Sequence, residues 1–165
     1  GLNKNSRNEL TILEDHLELA AKHNQMVLVH TPHLEDKRKG TRLIMDAIMN
    51  QGKIDPGRVL IDHVEEHTVR DVLDRGFWAG MTLYPDTKVT PQRAADIFEM
   101  HGTERLWINS AGDWGPSDPL AVPKCRDEMR RRGHLEETIR TVSFENPLQF
   151  LSQSGKFTAE LQPTR

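Results

Sequence analysis

Apolar and polar positions fall into blocks along this chain, alternating between a helical period and short continuous apolar runs. Leu10, Leu13, Leu17 and Ala20 recur at helical spacing behind Ser6 and Glu9, which have the spacing of a capping box, so a helix is predicted to about His23, with Asn24 as its stop. Met26-Val27-Leu28-Val29 follows as an unbroken apolar run, the pattern of a parallel strand covered on both faces, and it delivers His30 at its end. The alternation then repeats. Leu43, Ile44, Ala47 and Ile48 mark a helix before the breakers Gly52 and Pro56, and Val59-Leu60-Ile61 is a strand ending in Asp62-His63. A third helix is predicted from an N-cap at Thr68 to Gly76, and a strand over 77–83. Thr90-Pro91 reads as N-cap and first residue of a helix closing at Gly102, and Leu106-Trp107-Ile108 as the fourth strand. A helix starting at Ser117 or Asp118 with Pro119 runs to Gly133, and a last one runs from Asn146-Pro147 to near Gly155.

Strands separated by helices cannot be joined as tight hairpins, so parallel pairing with right-handed crossovers is expected, an α/β fold of four βα units. At 165 residues the chain is one domain by length, assigned to 1–155 with 156–165 as a C-terminal tail. It begins with Gly rather than Met, which fits a processed chain or a piece of a longer one.

Composition narrows the class. With 22 Lys+Arg against 25 Asp+Glu the formal charge is -3, which favours neither a nucleic-acid binder nor an acidic tail. The single cysteine, Cys125, cannot form an internal disulfide and excludes Cys-rich zinc modules. No apolar stretch approaches a membrane span and no signal peptide opens the chain, so a cytoplasmic protein with no membrane partner is expected. The Arg130-Arg131-Arg132 run sits where a helix ends, and its charges oppose the negative end of the helix dipole.

Ligands of parallel α/β sheets gather at the carboxyl ends of the strands. There this sequence places His30, Asp62-His63, Tyr84 and Asp113. Two imidazoles and a carboxylate suit Zn, Mn or a similar divalent ion, with His30, His63 and Asp113 as the metal ligands and Asp113 also as the base toward the bound water. Asp118 competes for that role, but its place before Pro119 reads as a helix cap. His33, His67, Asp36 and Glu65 lie in the loops just beyond, placed to contact substrate or support the ligands. His16, His23, His101 and His134 fall on helix patterns away from that edge. A rival motif, His63-Val64-Glu65-Glu66-His67, matches the inverted zinc-protease pattern H-x-x-E-H, which needs both histidines on one helix face. A strand directly before His63 parts them.

The segments Val27-Leu28-Val29-His30-Thr31-Pro32, Val59-Leu60-Ile61-Asp62-His63, Ser110-Ala111-Gly112-Asp113, Ser117-Asp118-Pro119-Leu120-Ala121-Val122-Pro123 and Glu145-Asn146-Pro147 occur in an order that resembles the TatD-type metal-dependent hydrolases of the amidohydrolase superfamily. The resemblance implies the C-terminal half of a (β/α)8 TIM barrel holding divalent metal (Zn, Mn or Mg). It implies a metal-bound hydroxide attacking an ester, phosphodiester or amide in a small-molecule or phosphodiester substrate. It makes His30 the ligand after strand five, His63 that after strand six, and Asp113 the strand-eight carboxylate; His33, His67 and Tyr84, from their places in the loops and at the third strand's end, are expected to face the substrate. The family's His-x-His of strand one and acidic residue after strand four have no counterpart here, and Asn109-Ser110-Ala111-Gly112-Asp113 departs from its Glu-Thr-Asp sequence. Four βα units cannot close a barrel. A second chain or the missing N-terminal half is therefore expected to complete it, and the chain alone is expected to be inactive or incomplete. The alternative is a non-catalytic open α/β module acting by self-association or partner binding.

Overall fold

A computed structural model describes residues 1–32, 36–112 and 115–157. Its strands are β1 (Val27–His30), β2 (Val59–Asp62), β3 (Trp78–Leu83) and β4 (Leu106–Ser110). They form one parallel sheet in the order β1-β2-β3-β4. The helices are α1 (Arg7–Lys22), α2 (Lys37–Gln51), α3 (Val69–Asp74), α4 (Pro91–His101), α5 (Ala121–Arg131), α6 (Glu136–Arg140) and α7 (Asn146–Ser152). This is the predicted α/β arrangement of four βα units. Among the described residues no helix is long and apolar enough to cross a membrane.

Local chemistry explains where the elements start and stop. Ser6 Oγ accepts from the Glu9 N–H and the Glu9 carboxylate accepts from the Ser6 N–H, closing the capping box that opens α1. Thr90 caps α4 through the Arg93 N–H, with Pro91 at the first helical position. Thr68 stands at the N-cap of α3 but its hydroxyl accepts from the Glu65 N–H instead, tightening the preceding turn. Asp118 does not start α5. Its carboxylate accepts from the Leu120 N–H and from Lys124 Nζ, making a turn, and the helix begins at Ala121.

The last helical segment also begins earlier than Asn146. α6 leads through a π-helical turn (Thr141–Glu145) straight into α7. Pro147 has no N–H and its ring crowds the carbonyl four residues back, so a widened turn just before it lets the helix continue where the sequence suggested a fresh start. The buried Asn146 side chain donates to the Thr103 and Leu106 carbonyls, fixing α7 against the start of β4.

The strand register sorts side chains onto two faces. Val29, Ile61, Ala79 and Leu106 form one cross-strand row facing the helices, inside the main core. Leu60, Trp78 and Trp107 point to the other face, where Phe150 of α7 meets both indoles edge-on at centroid distances of 5.7 and 5.3 Å. Burying a side chain of that size contributes roughly 1.5–3 kcal/mol. α7 thus covers part of the sheet face opposite the main core. At β1 the cover stops. Leu28 is 50% exposed, so this strand is buried on one face only, as an edge strand, not on both as its apolar run suggested.

Helices α4 and α5 are joined by charge. Arg132 donates to Asp96 and Glu99 on α4 and to Glu128 on its own helix, Arg131 donates to Glu128, and Arg130 pairs with Asp127 and Glu136. The arginine run is therefore held by acids within the fold. Hydrogen bonds from Arg131 and then Arg132 hold the Glu128 carboxyl down at about 2, against an ordinary value of 4.5. A depressed carboxyl contributes stability above its unfolded value and loses it as pH falls through its folded one. Glu128→Gln is expected to lower Tm near neutral pH, with the gap to wild type closing between about pH 4.5 and 2. Thermal melts across that range check this; a gap that is independent of pH would show that the charge contributes nothing.

Candidate metal centre

All four strands run the same way, so their carboxyl ends share one rim. His30 closes β1 and Asp62 closes β2, and the two are cross-strand partners on the inner face. Gly80 of β3 is the next partner in that row, and Thr82 and Asn109 form the row beyond it. His63 follows Asp62 with φ at 63°, in the left-handed region that costs a non-glycine residue roughly 1–2 kcal/mol. The turn is held by the Val64 N–H donating to the Gly80 carbonyl at 2.9 Å and by the buried Thr31 hydroxyl donating to the Asp62 carbonyl at 2.9 Å. Its effect is to bring the His63 ring back over the rim instead of away from it.

The result is a compact polar cluster. His30 Nδ1 lies 2.9 Å from His63 Nε2 and 3.3 Å from Asp62 Oδ2, and the rings stack with centroids 4.7 Å apart. Asp62 Oδ1 accepts from the His63 N–H at 2.8 Å, Asn109 Nδ2 at 3.0 Å and the Thr82 hydroxyl at 3.1 Å. Oδ2 faces the two imidazoles. Burial by itself would push the Asp62 carboxyl up; the hydrogen bond from His30, the charge of His63, the Asn109 amide and the His63 N–H together hold it at about 2, so it is ionised at neutral pH.

His30, Asp62 and His63 form a group able to hold a metal ion. Two imidazole nitrogens and one carboxylate oxygen are the donors that zinc and similar divalent ions take. Ligands about 2.1 Å from a tetrahedral ion sit roughly 3.4 Å apart; the three donor atoms here all lie within 4.8 Å of one another. The cluster opens on a cavity of about 640 Å³ whose lining includes Thr82, Tyr84, Thr87, Lys88, Asn109 and Ser110. Lys88 Nζ lies 3.5 Å from His63 Nε2 and 5.3 Å from the Tyr84 ring centroid. The Lys88 carbonyl accepts from Arg93 Nη1, while Arg93 grips Glu66 with two further bonds, so one side chain joins the loops after β2 and β3.

Of the residues singled out in the sequence, His30 and His63 are brought together, and Tyr84 lines the same cavity with its hydroxyl donating to the Gly115 carbonyl at 3.3 Å. His67 is not among the lining residues. It is exposed in the turn before α3, 3.5 Å from Glu65, because the Glu65–Thr68 bonds turn the chain away from the rim. Asp113 and His33 lie outside the described residues. His63 and His67 share no helix, which disposes of the H-x-x-E-H reading. Asp36 caps α2 and Glu65 pairs with Lys37 at 2.8 Å. Sequence reasoning passed over Asp62 as a ligand. A carboxylate two positions beyond Leu60, at the end of a buried strand, needs partners, and the same alternation from Trp107 to Asn109 and from Gly80 to Thr82 supplies them.

No family model matches the chain. An uncharacterised metal-dependent hydrolase of Methanocaldococcus jannaschii is 29% identical over 150 residues, covering 91% of this chain and 58% of that protein. A TatD-like protein of Archaeoglobus fulgidus matches with a TM-score of 0.71 at 28% identity, over 92% of this chain and 57% of its own. Two more distant structures share the fold alone. One is a beta-aspartyl dipeptidase of Fervidobacterium islandicum (TM-score 0.65, 14% identity, 84% of this chain and 43% of that one). The other carries organophosphate hydrolysis activity engineered from a promiscuous lactonase template (TM-score 0.60, 16% identity, 90% of this chain and 54% of that one). The resemblance to TatD-type metal-dependent hydrolases is thus carried by both sequence and structure. The chain spans under three-fifths of the length of these relatives.

Gly80 gives a direct test of the cluster. A Cβ there would meet Asp62 Oδ1 at 2.7 Å and Trp107 Nε1 at 3.2 Å, and the carboxylate cannot retreat without leaving its three donors. Gly80→Ala is expected to cost about 1–3 kcal/mol of stability. Denaturant melts measure the effect; a variant as stable as wild type would show that Asp62 is not pinned against this strand.

Proposed function

We propose that this chain supplies part of the metal centre of a TatD-like hydrolase, with His30, His63 and Asp62 holding a divalent ion at the rim of the sheet. The observation that carries the reading is the convergence of two imidazoles and one ionised, hydrogen-bonded carboxylate on one cavity. When bound, such an ion supplies Lewis-acid chemistry, polarising the scissile bond and bringing the pKa of an attacking water toward neutrality.

The residues of the chain would do the rest. Asp113, assigned on its place in sequence after β4, accepts the proton of the attacking water and adds a further ligand. Tyr84 shapes the wall against which a substrate lies, and Thr31, Thr82 and Asn109 keep Asp62 and His63 in place. The substrate class is an ester, phosphodiester or amide. Four strands with edges at β1 and β4 do not make a closed barrel. Leu28 is left half-exposed on the inner face, which supports completion by further βα units on another segment or another chain.

Two measurements test this reading. Zinc titrated into the chain should bind at one site, and His63→Ala or Asp62→Asn should remove tight binding without unfolding the protein. Within a completed barrel, His30→Ala and His63→Ala should reduce turnover of p-nitrophenyl esters and bis(p-nitrophenyl) phosphate to background; turnover retained by both variants would remove the assignment.

A further inference from the structure

We propose that Thr82 is a positioning residue that locks the His63 imidazole in its Nδ1-protonated tautomer, so that Nε2 is the nitrogen offered to a cation. The inference rests on the metal reading above, but its logic comes from counting protons. The Thr82 side chain is buried on β3, with Oγ1 2.7 Å from His63 Nδ1 and 3.1 Å from Asp62 Oδ1. A hydroxyl has one proton to donate. Asp62 Oδ1 already accepts from the His63 N–H and the Asn109 amide, so it faces Thr82 as an acceptor too. The Thr82 proton therefore goes to Asp62, and Oγ1 is left as an acceptor for the bond at 2.7 Å. His63 Nδ1 has to be the donor of that bond, which leaves the lone pair on Nε2.

The same direction continues outward. Among the described residues Nε2 faces donors: Lys88 Nζ lies 3.5 Å away, and His30 Nδ1 lies 2.9 Å away with its one proton shared between Nε2 and Asp62 Oδ2 at 3.3 Å, so the bonds run from His30 to His63 to Thr82 to Asp62. A cation would replace only the first link. The His30 side chain is 67% exposed, so its proton can pass to Nε2, where water takes the bond. His63, buried beside Thr82, would keep its proton throughout. The choice of threonine follows from its stiffness, since a β-branched side chain holds χ1 and keeps the hydroxyl between its two partners. Partners of this kind fix the tautomer and the ring angle of a metal-bound histidine.

The test uses the whole chain with zinc as the probe. Imidazole ¹⁵N spectra of the metal-free wild type should show His63 protonated at Nδ1, and Thr82→Val should move it toward the Nε2-protonated form. Calorimetric zinc titration of Thr82→Val should show affinity lowered by about tenfold to a hundredfold, with Thr82→Ser restoring it to within about threefold of wild type. Finding the wild-type proton on Nε2, or a Thr82→Val variant that binds zinc as tightly as wild type, would overturn the role given to Thr82. The tautomer measurement needs no metal, so absence of zinc binding by the wild type would count against the metal reading while the spectra still decide the Thr82 inference.

Discussion

The buried Asp62 carboxylate is the constraint around which the rim of this sheet is organised. An ionised oxygen placed beyond Leu60 at the end of an apolar strand is costly unless every lone pair finds a donor. The surrounding sequence reads as the answer to that requirement. Asn109 and Thr82 stand on the inner face, the backbone of His63 folds over, and Gly80 leaves the space into which the carboxyl fits. Each of these residues also limits His63 or its neighbours, so satisfying one charge sets the geometry of two imidazoles. The left-handed backbone at His63 is the local strain accepted for this arrangement, and two bonds from neighbouring strands and loops maintain it.

Much of this was legible in the chain. The Ser6–Glu9 box, Thr90-Pro91 and Gly102 mark helix ends through backbone chemistry that is local in sequence, and each stands where it was read. The four apolar runs gave the strands, and the strand-end rule gave His30 and His63. What escaped was governed by contacts distant in sequence. Asp62 reads as a strand terminus until Asn109, forty-seven residues away, is seen to bond it. The polar stretch opening α6 showed little apolar periodicity, and Pro147 concealed a helix that continues through a π turn. Asp118, with Pro119 behind it, has the local look of a cap but serves a turn. His67 has the right residue type in the right loop, yet the turn carries it outward.

The relation to the longer relatives gives the open side of the sheet its meaning. Aligned residues cover over nine-tenths of this chain and under three-fifths of the archaeal proteins it resembles. The helix-facing core and the Trp78–Trp107–Phe150 cluster both lie within the chain, so the four-stranded sheet carries packing of its own on both faces. Among the described residues the rim cluster draws on the ends of β1 and β2, on His63 just past β2, and on β3 and β4.

On the proposed reading, one cation is held jointly by His30, Asp62 and His63. X-ray absorption at the zinc edge, or a crystal structure of the zinc-loaded chain, addresses it most directly. The expected inner shell contains two imidazole nitrogens and one carboxylate oxygen at about 2.0–2.2 Å. Zinc surrounded by oxygen alone, or lodged away from this rim, would contradict the account.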